Sequence, residues 1–436
     1  MSSFSRVTVA LLIVCFSSPI ALAAEKKSNS FAEYRKNRQA IYNQFKTDYL
    51  NRYENYRAEI KEKWGVAELS SKTEYVHYNE KNKTKVLTDF ENDTIEISLL
   101  DADNLSDNEV DQRIRAAIID SLDQQPEILA SKQIEFDVAT EKAPEKAPET
   151  EISTPTVLNH LGIDSAESLN TILKQVTTVP LETQQQIVVK RTQTRLDKQI
   201  ANIENFLDSD EISIEQAKAP KALVVSMKEE KKSIKRDVNQ LITKNIKTYK
   251  VNLHRDRFKK AEQYLQYVES NAEKWQLSKQ FILAVMETES HFNPLAKSYV
   301  PAYGLMQIVP STAGADVNNR ILGMKEKPSP ELLFSGRDNI KYGSAYIHIL
   351  MTQYLKEIEN PTSRLYCAIA AYNTGIGNVA RAFNKGKKGR LKAMKVINTM
   401  TPDEVYDVIK KRTHTETQRY LDKVLESKQY FSQQKV

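Results

Sequence analysis

The sequence predicts a mainly α-helical protein in which a small α+β unit and a helical connector precede a helical domain at the C-terminal end. Three observations carry this. The chain has 436 residues with only 11 glycines, 40% hydrophobic and 28% charged, a balance that suits helical globular proteins and excludes disordered or fibrous ones. Apolar residues recur at helical spacing through most of the chain, whereas period-two alternation is confined to one short region. Charge is uneven: residues 1–224 hold 27 Lys and Arg against 36 Asp and Glu, and residues 225–436 hold 36 against 21. A basic C-terminal half suits an anionic partner, and equally a solvated lysine-rich surface.

The chain opens with MSSFSRVTVALLIVCFSSPIALAAEKK, which has one Arg, an apolar core from Val7 to Phe16 and the small-residue ending Ala21-Leu22-Ala23. That is the pattern of a secretory signal peptide over residues 1–24, cut after Ala23 or Ala24. The core is too short for a permanent membrane span, and no later segment is long enough without charges. The alternative for this region is lipid attachment at Cys15, the only route to membrane association that the sequence offers. Cleavage after Ala24 leaves Cys367 as the sole cysteine, so an internal disulfide is excluded.

Residues 25–138 are expected to form the α+β unit. FAEYRKNRQAIYNQFKTDYLNRYENYRAEIKEKW reads as one long helix whose apolar face holds Ile41, Phe45, Tyr49, Tyr53, Ile60 and Trp64. Alternation follows at Val86, Thr88, Phe90 and at Ile95, Ile97, Leu99, with Asn92-Asp93 between them, which predicts a β-hairpin. Residues 107–130 return to helix. A linker is expected over 139–156 from the Pro/Ala/Glu repeat EKAPEKAPETE. From 157 to 255 the pattern is helical and polar, as in MKEEKKSIKRDVNQLITKNIK, and reads as a connector without a sustained heptad. Residues 256–436 alternate apolar helices with Gly- and Pro-containing loops, the setting for a pocket.

Within that domain, Ser278 is a good N-cap and Phe281 to Met286 are apolar on every side, the mark of a buried helix. Pro294 requires the helix to end before it. Glu289 therefore falls in the last buried turn, where desolvation and the negative end of the helix dipole both favour the protonated carboxyl, the state of a general acid. Glu287, two residues earlier, is rotated roughly 200° around the axis. It is expected to face away from Glu289, as a solvated or ion-paired surface residue.

The spacing of residues 285–310 resembles that of the soluble-lytic type of lytic murein transglycosylases: Val285, then Glu289-Ser290, Pro294, Ser298, Gly304-Leu305-Met306-Gln307-Ile308 and Pro310. AAYNTG at 370–375 resembles the Ala-Tyr-Asn-x-Gly motif of this family, and ETQRYLDKVL at 416–425 resembles its final Glu-Thr-x-x-Tyr-x-x-x-Val motif. The N-terminal unit resembles the N-terminal domain found in lytic murein transglycosylases of the membrane-bound C type. The resemblance implies a lysozyme-like fold for residues 256–436 and a periplasmic enzyme acting on peptidoglycan glycan strands. It implies Glu289 as sole acid/base, cleaving the β-1,4 bond between N-acetylmuramic acid and N-acetylglucosamine and leaving 1,6-anhydro ends. It also implies a substrate-binding set. Ser298 would bond the acetamido group or orient Glu289, Met306 and Gln307 would line the cleft with Gln307 donating to sugar hydroxyls, and Tyr372 would stack on a sugar or bond the acid. Asn373 would bind substrate or cap its helix, while Glu416 and Tyr420, four apart, would share one face toward the groove.

Structural readings compete at several of these positions: a turn serine at Ser298, core filling at Met306, a surface ion pair at Glu416. The basic stretch FNKGKKGRLKAMK, 383–395, attracts stem-peptide carboxylates or is simply solvated. No metal-ligand spacing is found among the six His, nor a phosphate-binding glycine loop or nucleic-acid motif, so no metal, cofactor or nucleic-acid partner is expected. Two rival functions remain from the sequence, a goose-type lysozyme-like hydrolase and a non-catalytic wall-binding protein.

Overall fold

In the computed structural model, which describes residues 55–79, 81, 83–129, 155–207, 214–239, 245–298 and 302–434, the alternation at 84–99 becomes a hairpin. Strands β2 (Thr84–Asp89) and β3 (Thr94–Leu99) pair antiparallel in the register Asp89 with Thr94. Asp93 takes a left-handed conformation, φ 58°, in the turn. Asp89 steadies the turn by accepting from the Asn92 backbone N–H at 2.9 Å. β1 (Glu74–Asn79) adds antiparallel to β2. The signal-peptide region with Cys15, the 31–64 helix up to residue 54, and the 141–151 repeat lie outside the described residues. All described residues fall within one compact unit, Asn43–Val436.

The sheet does not end with the hairpin. β5 (Lys247–Asn252) pairs with β3, and the short β4 (Thr177–Val179) pairs with β5, giving the antiparallel order β1-β2-β3-β5-β4. Both strands come from the stretch the sequence reading treats as helical connector. Lys-Thr-Tyr-Lys-Val-Asn is too short and too rich in lysine to stand out as a strand alone. It becomes one because β3 offers an open row of backbone groups that must be paired.

The two faces of the sheet differ. Tyr75, Val86, Ile95, Ile97, Leu99 and Val251 share one face and join the main core. Against it packs α2 (Asp107–Leu122), whose start is fixed by a capping box between Ser106 and Glu109. The other face carries charge. Lys85 and Arg191 pair with Glu68, and Arg191 also holds Glu74 at 3.1 Å and Glu96 at 2.9 Å. Arg191 comes from α3 (Leu181–Leu207), which packs against α4 (Ile214–Asp237). The helix over residues 55–64, labelled α1, leads into this region with Ile60 and Trp64 buried beside Val188 and Ile234.

Burial pushes the Glu68 carboxyl up, but Lys85 and Arg191 outweigh it and hold its pKa at about 2, below the ordinary 4.5. A carboxyl depressed on folding contributes stability above its unfolded value and loses it on acidification. The unfolding free energy is therefore expected to fall by roughly 3 kcal/mol as pH drops from about 4.5 toward about 2, read from urea titrations; a midpoint insensitive to pH in that window contradicts this picture of the cluster. Glu74 acts oppositely in a higher window. Burial raises its pKa to about 7 despite Arg191, so its contribution is lost as pH rises from about 4.5 through 7.

The helical domain is built from α5 (Leu265–Trp275), α6 (Lys279–Ser290), α7 (Gly336–Ile349), α8 (Pro361–Thr374), α9 (Pro402–Arg412) and α10 (Thr415–Gln433). Ser278 caps α6 by accepting from the Phe281 N–H at 3.0 Å. Ile282 to Met286 are completely buried, each such side chain contributing about 1.5–3 kcal/mol of apolar burial. His291 and Phe292, at φ 51° and 63°, turn the chain out of α6. α6 packs along α10 in the middle of the domain.

The sheet is fastened to this domain by polar contacts. Arg255 donates to Asp93 in the hairpin turn, and Lys260 Nζ donates to the Phe90 carbonyl at 2.6 Å. Beside α6, Asn293 Nδ2 donates to the Lys72 carbonyl at 3.2 Å, and Lys297 N donates to the Ser71 carbonyl at 3.4 Å. These last two bring the segment ahead of β1 to the C-terminal end of α6. No described helix is long and apolar enough to cross a membrane.

Candidate active site

Glu289 ends α6 with only 4% of its surface exposed. Glu287 is also buried, at 7%, but its carboxylate takes a forked bond from Arg257, at 2.7 and 2.5 Å, and one from Ser427 Oγ at 2.5 Å. The sequence reads it as a solvated or ion-paired surface residue facing away from Glu289, and the ion pair is present. The structure encloses that pair on the far side of α6, because Arg257 folds back from the start of the domain. Glu287→Gln is expected to lower stability by about 1–3 kcal/mol, the worth of charged hydrogen bonds, while the folded variant turns over within about threefold of wild type. Denaturant unfolding and specific activity check the two halves, and loss of turnover by the folded variant contradicts the assignment.

Glu289 faces a groove of about 1050 Å³ whose lining includes Lys72, Ser298, Glu416 and Tyr420. Lys72 Nζ lies 3.0 Å from Glu289 Oε2. Tyr420 belongs to α10 and is 6% exposed; burial first, then the charge of Glu289, holds its pKa well above the tyrosine range. Its hydroxyl is close to Glu289, yet it makes no hydrogen bond of good geometry and is a buried polar atom without a partner. Such a group is a ready donor or acceptor for a ligand hydroxyl. Glu416 is exposed at the rim, one turn before Tyr420.

Tyr372, from α8, is held back from the groove by its own bond: its hydroxyl donates to the Met306 carbonyl at 2.7 Å. Burial, followed by the charge of Glu289, raises its pKa well above the ordinary value. Asn373 accepts from Thr417 Oγ1 at 2.7 Å and so ties α8 to α10. Met306 is wholly buried, and its side chain fills the space above Gly343, where an added Cβ would meet its sulfur at 2.3 Å. Its part in the site is carried by backbone: the carbonyl takes Tyr372 and the N–H donates to Asn339 Oδ1 at 2.7 Å.

Gln307 has φ 49° and is 7% exposed. Its side-chain amide donates to the carbonyls of Ala296 and Gly304, each at 3.0 Å. Carbonyls only accept, so both bonds fix the NH2 inward and leave Oε1 as the end without a partner. The side-chain end left over is thus an acceptor, whereas the family resemblance implies a donating Gln307. Ser298 Oγ accepts from the Ala302 N–H at 3.1 Å, closing the loop beside the groove.

The loop 303–307 is positioned by two residues to which the sequence assigns no role, Ser290 of the Glu289-Ser290 motif and Asn339. Ser290 Oγ donates to the carbonyls of Met286 and Leu305, at 3.1 and 2.8 Å. Asn339, fully buried in α7, donates to the carbonyls of Tyr303 and Leu333, at 2.7 and 2.6 Å. A buried asparagine among apolar residues near a helix start is the signal that finds it. Lys72 has no comparable signal, being one lysine in Ser-Ser-Lys-Thr, 217 positions from its partner. The basic stretch 383–395 runs beside a smaller concavity of about 560 Å³ lined by Arg381, Lys385, Arg412 and His414, and His414 also borders the groove. Among the described residues no cluster of His, Cys, Asp and Glu is arranged to hold a metal ion.

Residues 266–395, which contain Glu289, the 303–307 loop and Tyr372, match the family described as Transglycosylase SLT domain. This stretch is thus similar to a transglycosylase SLT domain. Residues 34–142 match the N-terminal domain of membrane-bound lytic murein transglycosylase C. Membrane-bound lytic murein transglycosylase C of Shigella sonnei is 46% identical over 167 residues, which is 38% of this chain and 45% of that protein. The chain thus spans less than half the length of this relative in the match. Among solved structures, the lytic transglycosylase Slt of Pseudomonas aeruginosa, an inactive mutant, is 18% identical over 63% of this chain and 44% of its own, with a TM-score of 0.30. The 70-kDa soluble lytic transglycosylase of Escherichia coli is 19% identical over 77% and 45%, also with a TM-score of 0.30. Tyr420 and Glu416 lie beyond the SLT match, on α10, which packs against the helix that ends in Glu289.

Proposed function

We propose that the chain is a lytic transglycosylase that cleaves the β-1,4 bond between N-acetylmuramic acid and N-acetylglucosamine in peptidoglycan. The observation that carries this is Glu289, a buried glutamate at the end of a buried helix within the SLT match, which borders a groove of about 1050 Å³. Protonated Glu289 gives its proton to the glycosidic oxygen as the C1–O4 bond breaks, and positive charge develops on the sugar as in other glycoside cleavages. The carboxylate then takes the proton of the C6 hydroxyl, whose oxygen forms the new bond to C1. The product is a 1,6-anhydro end, and Glu289 regains its starting state. An internal hydroxyl has a high effective concentration, so no activated water is required. Tyr420 Oη, which borders the groove beside Glu289, suits a hydrogen bond to a sugar hydroxyl or the acetamido group.

The signal-peptide pattern of residues 1–24 fits export to the periplasm, where the substrate lies, with Cys15 the position for a lipid if the chain is anchored. A second reading has one observation in its favour. Glu416 borders the same groove as Glu289, and a second carboxylate is what a hydrolase uses to activate water. Mass spectrometry of digested sacculi separates the two. Fragments lighter by one water than reducing sugars are expected; reducing ends in their place contradict the proposal.

A further inference from the structure

A residue in direct ionic contact with Glu289 comes from outside the SLT match. Lys72 Nζ sits 3.0 Å from Glu289 Oε2, and its approach is fixed by backbone. Asn293, three residues past α6, holds the Lys72 carbonyl, and Lys297 holds that of Ser71. The segment ahead of β1 is therefore fastened at both residues to the loop that follows the acid, and its lysine is delivered across the mouth of the groove. Other charged and titratable groups surround Glu289 or border the same groove. From α10 come Tyr420, the carboxylate of Glu416, Arg419 and Lys423, and from α8 comes Tyr372. The loop after α6 adds Lys297 and also His291, which pairs with Glu91 at 3.8 Å.

We propose that Lys72 is a positioning residue for cleavage, holding the Glu289 carboxylate in place by its ion pair and thereby setting the pH above which activity falls. An ammonium in contact favours the ionised carboxyl, opposite to the desolvation of a buried helix end. The proton that the first step consumes must be gained against Lys72, whereas the carboxylate that acts as base in the second step is stabilised by it. Lys72 keeps its own charge: burial would lower its pKa, but Glu289 and Glu416 outweigh that and raise it. Its side chain is 40% exposed, so it can follow the carboxylate or yield to substrate without unfolding the segment. The N-terminal unit is on this account a working wall of the active site.

The inference rests on Glu289 being the acid/base, and the test keeps the two apart. The kcat/KM of the full chain on peptidoglycan fragments is measured across pH for wild type, Lys72→Met, Lys72→Arg and Glu289→Gln. Removing the ammonium lets the acid keep its proton to higher pH, so the alkaline limb of Lys72→Met is expected to move up by about one pH unit, the low end of a contact charge effect. Lys72→Arg restores the wild-type limb. A Lys72→Met profile superimposed on wild type overturns the proposal, and so does a raised KM at every pH with the limb unmoved, which marks a substrate contact only. Lys72→Gln repeats the measurement should the methionine variant not fold. An active Glu289→Gln defeats the acid/base reading itself, whatever the lysine variants do.

Discussion

Glu289→Gln is expected to lower the rate of glycan cleavage by about 10³-fold or more, with the folded state and glycan binding retained. Gln has the shape of Glu but neither donates a proton to a leaving oxygen nor accepts one from the C6 hydroxyl. General acid–base assistance is worth about 10²–10⁴-fold, and one residue serving both steps removes both contributions at once. The equivalent barrier increase is about 4 kcal/mol. Stability is not expected to suffer greatly, since the partner left behind, Lys72, is 40% exposed and regains water. Turnover rates on sacculi together with a co-sedimentation binding assay check both halves. Residual activity within tenfold of wild type contradicts the role.

Gly304→Ala is expected to be the most damaging single methyl group in the domain. Gly304 has φ +72°, and a Cβ there would lie 2.3 Å from the Leu333 carbonyl oxygen and 2.3 Å from Asn339 Nδ2. The left-handed backbone alone costs alanine about 1–2 kcal/mol. The clash cannot be relieved by a flexible side-chain end, because one obstacle is backbone and the other is the amide that holds Tyr303 and Leu333. Losing those bonds adds about 1–3 kcal/mol for each buried group left unsatisfied, so a total loss of about 3–5 kcal/mol is expected. The same change shifts the Met306 carbonyl that anchors Tyr372 and the Gly304 carbonyl that anchors Gln307, so activity falls with stability. Denaturant midpoints measure the first effect; a variant within 1 kcal/mol of wild type by linear extrapolation contradicts the packing described.

How much of this was legible in the sequence depended on how local the cause was. The end of α6, its cap and the burial of Glu289 follow from Ser278, an all-round apolar run and Pro294, all within one short stretch, whereas a cleft at Glu289 is what the family resemblance implies. The hairpin follows from alternation and an Asn-Asp turn. β5 was not legible, because its six residues acquire strand character only beside β3, 148 or more positions earlier in the register Leu99 with Lys247. The roles inside the site divide in the same way. That Gln307 and Met306 belong near the acid is what the family resemblance implies, but that Gln307 spends both donors on Ala296 and Gly304, and that the Met306 carbonyl takes Tyr372, depends on how the loop closes over Asn339. Glu287 reads as a surface residue until Arg257 and Ser427 are brought around it. Lys72 is the extreme case, an unremarkable lysine given meaning by one contact with the other end of the molecule.

The central claim is that Glu289 directs an internal hydroxyl, not water, at the breaking bond. Cleavage of peptidoglycan in oxygen-18 water tests it most directly. The account predicts new muramic acid ends that carry no oxygen-18 and are lighter by one water than reducing ends. Oxygen-18 at C1 of newly formed reducing ends would contradict it and would assign the groove, with Glu289 and Glu416 on its walls, to hydrolysis.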